Sequence, residues 1–132
     1  MLEAEKEKVK EHYSKKSVVV NFSSKRYEGW SGRYFYEFKE KIILEKLQGQ
    51  KGQAILDIGM GTGRLYKNIV RLGYNYIGFN FSFEMVAEAK RKYDGNNNFF
   101  VCDAFRLALK DNSIQFSVCV GLLEMWTALS LF

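Results

Sequence analysis

An α/β domain built on a parallel sheet is the fold class this sequence predicts, and three observations predict it. From residue 53 onward, short apolar runs alternate with amphipathic stretches of helical period. The runs are nearly continuous in apolar residues, as strands covered on both faces require. The first run, Ala54-Ile55-Leu56-Asp57-Ile58, leads into three glycines at alternate positions, Gly59, Gly61 and Gly63, and then into a helical pattern. A strand, a tight glycine turn and a helix start bring bare backbone and helix N–H groups toward a ligand.

Composition bounds the answer. The chain has 132 residues, 47% hydrophobic and 27% charged, which suits one globular domain and excludes a disordered chain. Its net charge is +5, but the basic residues are interleaved with acids and form no dense block, so nucleic acid is not the favoured partner. Cys102 and Cys119 lie in apolar runs without metal-ligand spacing, and His12 is the lone histidine, so no metal site is predicted. Both read as buried free thiols, which fits a reducing cytoplasm. No apolar run reaches the ~18 residues a membrane span needs, and the N-terminus lacks an apolar signal core.

The elements follow in order. Residues 2–16 are charged and expected to form a solvated helix. Residues 17–34 point two ways: Val18, Val19 and Val20 favour extended backbone, whereas Asn21, Ser23, Ser24, Gly29 and Gly32 favour loop. Tyr13, Tyr27, Trp30 and Tyr34 make this stretch aromatic; such rings either pack on the core or cover a ligand. A helix is expected over 34–47, with Phe35, Phe38 and Ile42 on one apolar face, Ile43 and Leu47 beside it, and Gly49 ending it. The core then reads as strand 53–58, helix 63–72, strand 75–79, helix 83–93 capped by Ser82, strand 98–102 and strand 115–121. Residues 1–50 are expected to form a helical cap and residues 51–132 the core of one domain.

A parallel sheet binds ligands beyond the carboxyl ends of its strands. The ends here are Asp57 to Gly63, Asn80, Asp103-Ala104-Phe105, and the segment from residue 121 to 124. The glycine spacing is GxGxG. It departs from the dinucleotide fingerprint GxGxxG and lacks the Gly-Lys-Ser/Thr of a P-loop, so a nicotinamide-dependent oxidoreductase is a weaker alternative. Each rim residue has a structural reading beside the functional one: Asp57 a strand-end cap, Asn80 a turn residue, Asp103 a loop solvator.

Several stretches together resemble one family. Ala54 to Arg64, AILDIGMGTGR, resembles motif I of class I S-adenosylmethionine-dependent methyltransferases. YIGFNFSFEMVAEAKRK is similar to the next strand and helix of that family, and FFVCDAFRLALKDNSIQFSVCVGLLE to the two strands after it. HYSKK and RYEGWSGRYFYEF resemble, more loosely, the N-terminal cap of its small-molecule branch. The resemblance implies a Rossmann-like three-layer α/β sandwich. It also implies S-adenosylmethionine as cofactor and methyl transfer to an acceptor, expected to be a small molecule. A non-catalytic cofactor-binding module or partner subunit is the alternative.

Carried over by residue, the resemblance implies that Asp57 and the backbone of Gly59, Met60, Gly61 and Gly63 hold the methionine end of the cofactor. A carboxylate suits its cationic amino group. Asn80 stands where the family usually has an acid on the ribose hydroxyls, and an amide loses the charge-assisted bond. Asp103 accepts from the adenine amino group, with Ala104 and Phe105 beside it. Phe81 and Met85 flank the adenine, Leu122 borders the acceptor pocket, and Tyr13 closes over the cofactor. No catalytic residue is assigned.

The pattern breaks off early. The family sheet has about seven strands, of which about four are legible here. Strand four is thereby expected to form an apolar edge, which invites pairing. A dimer mate, a partner subunit or the apolar tail, residues 125–132, is expected to cover it, and the chain reads as a truncated methyltransferase.

Overall fold

The computed structural model describes residues 3–26, 29–49, 51–94 and 98–120. Leu122, the predicted end of strand four beyond residue 120, and the apolar tail lie outside them.

Four strands assemble where branched and aromatic residues cluster: β1 (Ala54–Ile58), β2 (Asn75–Asn80), β3 (Phe99–Val101) and β4 (Phe116–Cys119). All pair in parallel, in the order β3-β2-β1-β4. This is the predicted parallel sheet of a Rossmann-like fold, with four strands among the described residues. Ile55 stands opposite Tyr76 and Asp57 opposite Gly78, while Gly78 in turn opposes Phe99. Parallel register therefore carries the ends of the first three strands to one rim, with Asp57, Asn80 and the segment after Val101 side by side.

Six helices surround the sheet among the described residues. They are α1 (Glu3–Ser14), α2 (Lys16–Val20), α3 (Phe22–Arg26), α4 (Trp30–Lys46), α5 (Tyr66–Arg71) and α6 (Phe83–Lys92). The core forms where α5 and α6 lie on the sheet: Ile55, Ile69, Tyr76, Val86, Ala89 and Phe99 are buried together. Side chains of this size each contribute about 1.5–3 kcal/mol on burial. Tyr66 joins them edge-on, with ring centroids 5.4 Å from Tyr76 and 5.2 Å from Phe99. The predicted inward face of α6 is found as expected, with Tyr93 packed against the cluster. Ser82 caps that helix by accepting from the Met85 N–H at 3.2 Å.

Four local expectations are corrected. Val18 to Val20 are helical, not extended: Lys15 O accepts from the N–H groups of Val18 and Val19, and Val19 is buried. Docking against α1 and α6 outweighs the weak β preference of valine. The helix predicted over 63–72 begins only at Tyr66, because Gly61 and Gly63 have φ of 57° and 78°, values no α-helix contains. The helix predicted over 34–47 starts at Trp30 and is turned the other way. Phe35, Phe38 and Ile42 are exposed, whereas of the flanking residues Leu47 is buried and Ile43 packs on the core as expected, joined by Leu44. The inward face also carries Glu40, whose charge is neutralised by a partner that the helical period does not reveal. Finally, the two thiols are half-buried rather than buried, and they are not bridged to each other.

Candidate functional site

The turn after β1 is built from glycine because its backbone demands it. Gly59, Gly61 and Gly63 all have positive φ, which side chains bearing a Cβ rarely adopt. The Gly59 and Met60 N–H groups both donate to the Phe79 carbonyl at 3.0 Å, tying the turn to the end of β2. Gly63 N–H donates to Met60 O at 3.0 Å. The first amides of the turn are thus engaged by the fold itself and are not directed at a ligand. The close approach falls at Gly61 instead, where a Cβ would stand 2.9 Å from Cε1 of Phe22 on α3.

Asp57 ends β1 beneath this turn. It is only 3% exposed, and the Tyr76 hydroxyl donates to its Oδ2 at 2.5 Å. Burial pushes its carboxyl up to about 6, against the smaller downward pull of the Tyr76 hydrogen bond. Burial, and then the charge of Asp57, push the Tyr76 hydroxyl well above the usual phenol range, so it stays a proton donor. Asp57 lines a cleft with Gly59, Phe22, Tyr36, Arg64 and Val120. Glu40 of α4 closes one side: it accepts from Arg64 Nη2 at 3.0 Å and from the Asn68 amide, and Arg64 lies 4.8 Å over the Tyr36 ring.

The second rim position is a polar turn. Asn80 is buried; its Oδ1 accepts from the Ser82 N–H at 2.9 Å and its carbonyl accepts from the Cys102 N–H at 3.0 Å. Asn80 therefore has the turn role its residue type allows. Ser82 Oγ also donates to the Tyr13 carbonyl at 2.9 Å, which seats α1 on this end of the sheet. The Tyr13 ring meets Phe81 edge-on at 6.2 Å and Phe22 at 6.0 Å. Met85 is buried at the start of α6.

The third position is the segment after β3. Asp103 Oδ1 accepts from the Phe105 N–H at 3.0 Å, and its Oδ2 lies 3.8 Å from Lys6 Nζ of α1. The same ammonium stands 4.5 Å over the exposed Phe105 ring, and Ala104 is half-buried between. The fold thus gathers Tyr13, Phe81 and the glycine turn through Phe22, and places Asp57, Asn80 and Asp103 along one rim. Leu122 lies outside the described residues.

Four contributors escape a reading of spacing alone: Tyr76, Gly78, Phe22 and Lys6. Tyr76 leaves one clue, since a tyrosine inside an apolar strand needs a partner for its hydroxyl. Gly78 is required by contact, because a Cβ there would run into Met60 Sδ and the Tyr76 ring. Phe22 and Lys6 carry no sequence signal. Among the described residues, no group of His, Cys, Asp and Glu is placed to hold a metal ion.

Residues 56–132 match the sequence profile of a methyltransferase domain. No functionally curated protein matches the sequence significantly. Among solved structures, magnesium protoporphyrin IX methyltransferase from Synechocystis PCC 6803, with bound S-adenosylmethionine, superposes with a TM-score of 0.69 at 19% identity. That match covers 87% of this chain and 61% of that one. A methyltransferase from Thiobacillus denitrificans in complex with S-adenosylhomocysteine gives a TM-score of 0.53 at 23% identity, covering 64% and 36%. A Haloferax volcanii putative methyltransferase, solved in complex with the activator Trm112, gives 0.52 at 22% identity, covering 72% and 45%. The chain spans about three-fifths or less of the length of these structures.

Proposed function

The chain belongs to the methyltransferase domain family, and from that premise we propose that it binds S-adenosylmethionine and transfers its methyl group to a small-molecule acceptor. The observation that carries this reading is the Asp57 carboxylate, buried at the end of β1 and lining a cleft beside a glycine turn.

The residues fit the cofactor by chemistry. Asp57 matches the cationic amino group of the methionine end, and ionises fully when that cation replaces lost water. Asn80 presents amide donors to the ribose hydroxyls. Asp103 accepts from the adenine amino group, with Ala104 and Phe105 alongside. Phe81, Met85 and Tyr13 supply the apolar wall. The cofactor supplies a methyl group already activated on a sulfonium. What remains for the chain is alignment and exclusion of water, which require no dedicated base for a reactive acceptor. Leu122 is retained as a residue of the acceptor side. The cap and core division at residue 50 and a cytoplasmic location belong to the same proposal, the latter supported by Cys102 and Cys119 not being bridged to each other. So does a partner over the edge strand β4, supported by the activator complex of the Haloferax volcanii neighbour.

Calorimetric titration with S-adenosylhomocysteine, with NAD in parallel, tests the reading. Saturable binding of the first alone is expected. Its affinity should fall by up to about tenfold per pH unit below 6, where free Asp57 takes up a proton that the bound cation expels. Binding of NAD alone, or of neither by folded protein, overturns the reading. Binding without methyl transfer to any acceptor would reassign the chain as a cofactor-binding module.

A further inference from the structure

Five of the large apolar side chains exposed among the described residues belong to one helix. On α4, Trp30 is 83% exposed, and Tyr34, Phe35, Phe38 and Ile42 are all more than 40% exposed. Trp30, Tyr34 and Phe38 recur every fourth residue and stack ring on ring, at centroid distances of 5.8 Å and 6.3 Å with interplanar angles of 17° and 11°. They form a continuous apolar ridge on the side of α4 opposite Glu40 and Leu47. A ridge of this kind is a recognition surface rather than scattered exposure.

The charges beside the ridge say what fits it. Arg33, Glu37, Lys41 and Glu45 also recur every fourth residue, and their signs alternate. Lay a second copy of α4 antiparallel to the first, with the two-fold axis level with Lys39. Arg33 then comes level with the second Glu45, and Glu37 with the second Lys41. The Phe35, Phe38 and Ile42 part of the apolar ridge obeys nearly the same axis, while Trp30 and Tyr34 come level with Gln48 and Leu44 of the second copy and lie beyond the seam. Phe35 comes within one residue of the second Ile42, and the two Phe38 side chains lie two residues apart, about 3 Å at 1.5 Å per residue. A surface whose charged row and central apolar residues match about one axis is what an isologous dimer requires. An anionic lipid surface fits less well, because Glu37 and Glu45 interrupt the basic row.

We propose that α4 is a homodimerisation surface, pairing antiparallel with α4 of a second copy through Phe35, Phe38 and Ile42, flanked by Glu37–Lys41 contacts between copies. One helix seam buries less than the ~1,600 Å² of a standard interface, so the association is reversible and concentration-dependent.

Sedimentation velocity over a concentration series tests this, using the full chain. Glu37→Lys sets like charges level with each other at two symmetric positions, as does Lys41→Glu, and each is expected to weaken self-association about tenfold. Mixed in equal amounts, the two variants restore opposite charges at both positions, so a heterodimer of near wild-type affinity is expected. That restoration separates contact between copies from the Lys41–Glu45 pair within one helix, which is 3.8 Å long and cannot be repaired by mixing. Phe38→Ser, at an exposed position, should leave the circular dichroism unchanged and the chain monomeric. A wild-type chain that stays monomeric at every concentration overturns the proposal, whatever covers α4. So does a dimer indifferent to Phe38→Ser, or a variant mixture that stays as weak as its components.

Discussion

Asp57 shows how far burial bends one group's chemistry. Its carboxyl titrates at about 6 in the fold, against the usual value of 3.8 when exposed. Because the folded value is the higher, the native state binds the extra proton between these limits. Stability of the free chain therefore falls as pH rises from about 4 to about 6, by roughly 2–3 kcal/mol from this group. Asp57→Asn keeps an acceptor for the Tyr76 hydroxyl and removes the charge. It should stabilise the free protein at pH 7 by a comparable amount and flatten that part of the pH profile, as thermal melts across pH 4–8 will show. The same change should cost most of the cofactor affinity, so stability and binding move in opposite directions. Asn80 gives a second test. Asn80→Asp keeps the Oδ1 that accepts from Ser82 and adds charge. It should tighten S-adenosylhomocysteine binding by about 1 kcal/mol, seen as a fivefold lower Kd, if the ribose hydroxyls meet this side chain.

Gly78 and Glu40 decide how elements meet. Gly78 lets Met60 of the glycine turn and Tyr76 of its own strand occupy the space a Cβ would take. Gly78→Ala should cost about 1–3 kcal/mol by overpacking, measured as a lower denaturation midpoint with unchanged slope. Glu40 joins α4 to the residue after the turn through Arg64 and to α5 through Asn68. Glu40→Ala leaves a partly buried guanidinium without this partner. It should destabilise by about 1–2 kcal/mol and raise amide exchange across α4. These two positions also mark where a linear reading stops. The strand–turn–helix order, the Ser82 cap and the inward face of α6 are legible because each depends on residues within a few positions. The orientation of α4 is not, because a helix period cannot distinguish a charged face that has found Arg64 from one that meets water. Likewise the valines of α2 follow their tertiary contacts, not their own weak preference.

The molecule as a whole is a parallel sheet whose rim carries the candidate site, with α1 seated on that rim through Tyr13, Ser82 and Lys6. A ligand that binds only this assembled state stabilises all of it by mass action. Saturation with S-adenosylhomocysteine at about 100 times Kd should add about 2.7 kcal/mol, visible as a rise of several degrees in Tm. NAD should leave Tm unchanged. Thermal scans at fixed protein concentration check both, since any pairing through α4 makes Tm depend on concentration.

By itself, the sequence determined the parallel α/β order, the glycine turn at residues 59–63 and the three rim positions Asp57, Asn80 and Asp103. Each follows from local periodicity, backbone permission at glycine, and the rule that parallel strands end on one side. Only the tertiary structure decided that the first turn amides serve β2, that Tyr76 holds Asp57 in a dry environment, and that the aromatic ridge of α4 faces outward. Those outcomes depend on contacts between residues far apart in the chain, where burial and charge pairing outweigh any local preference.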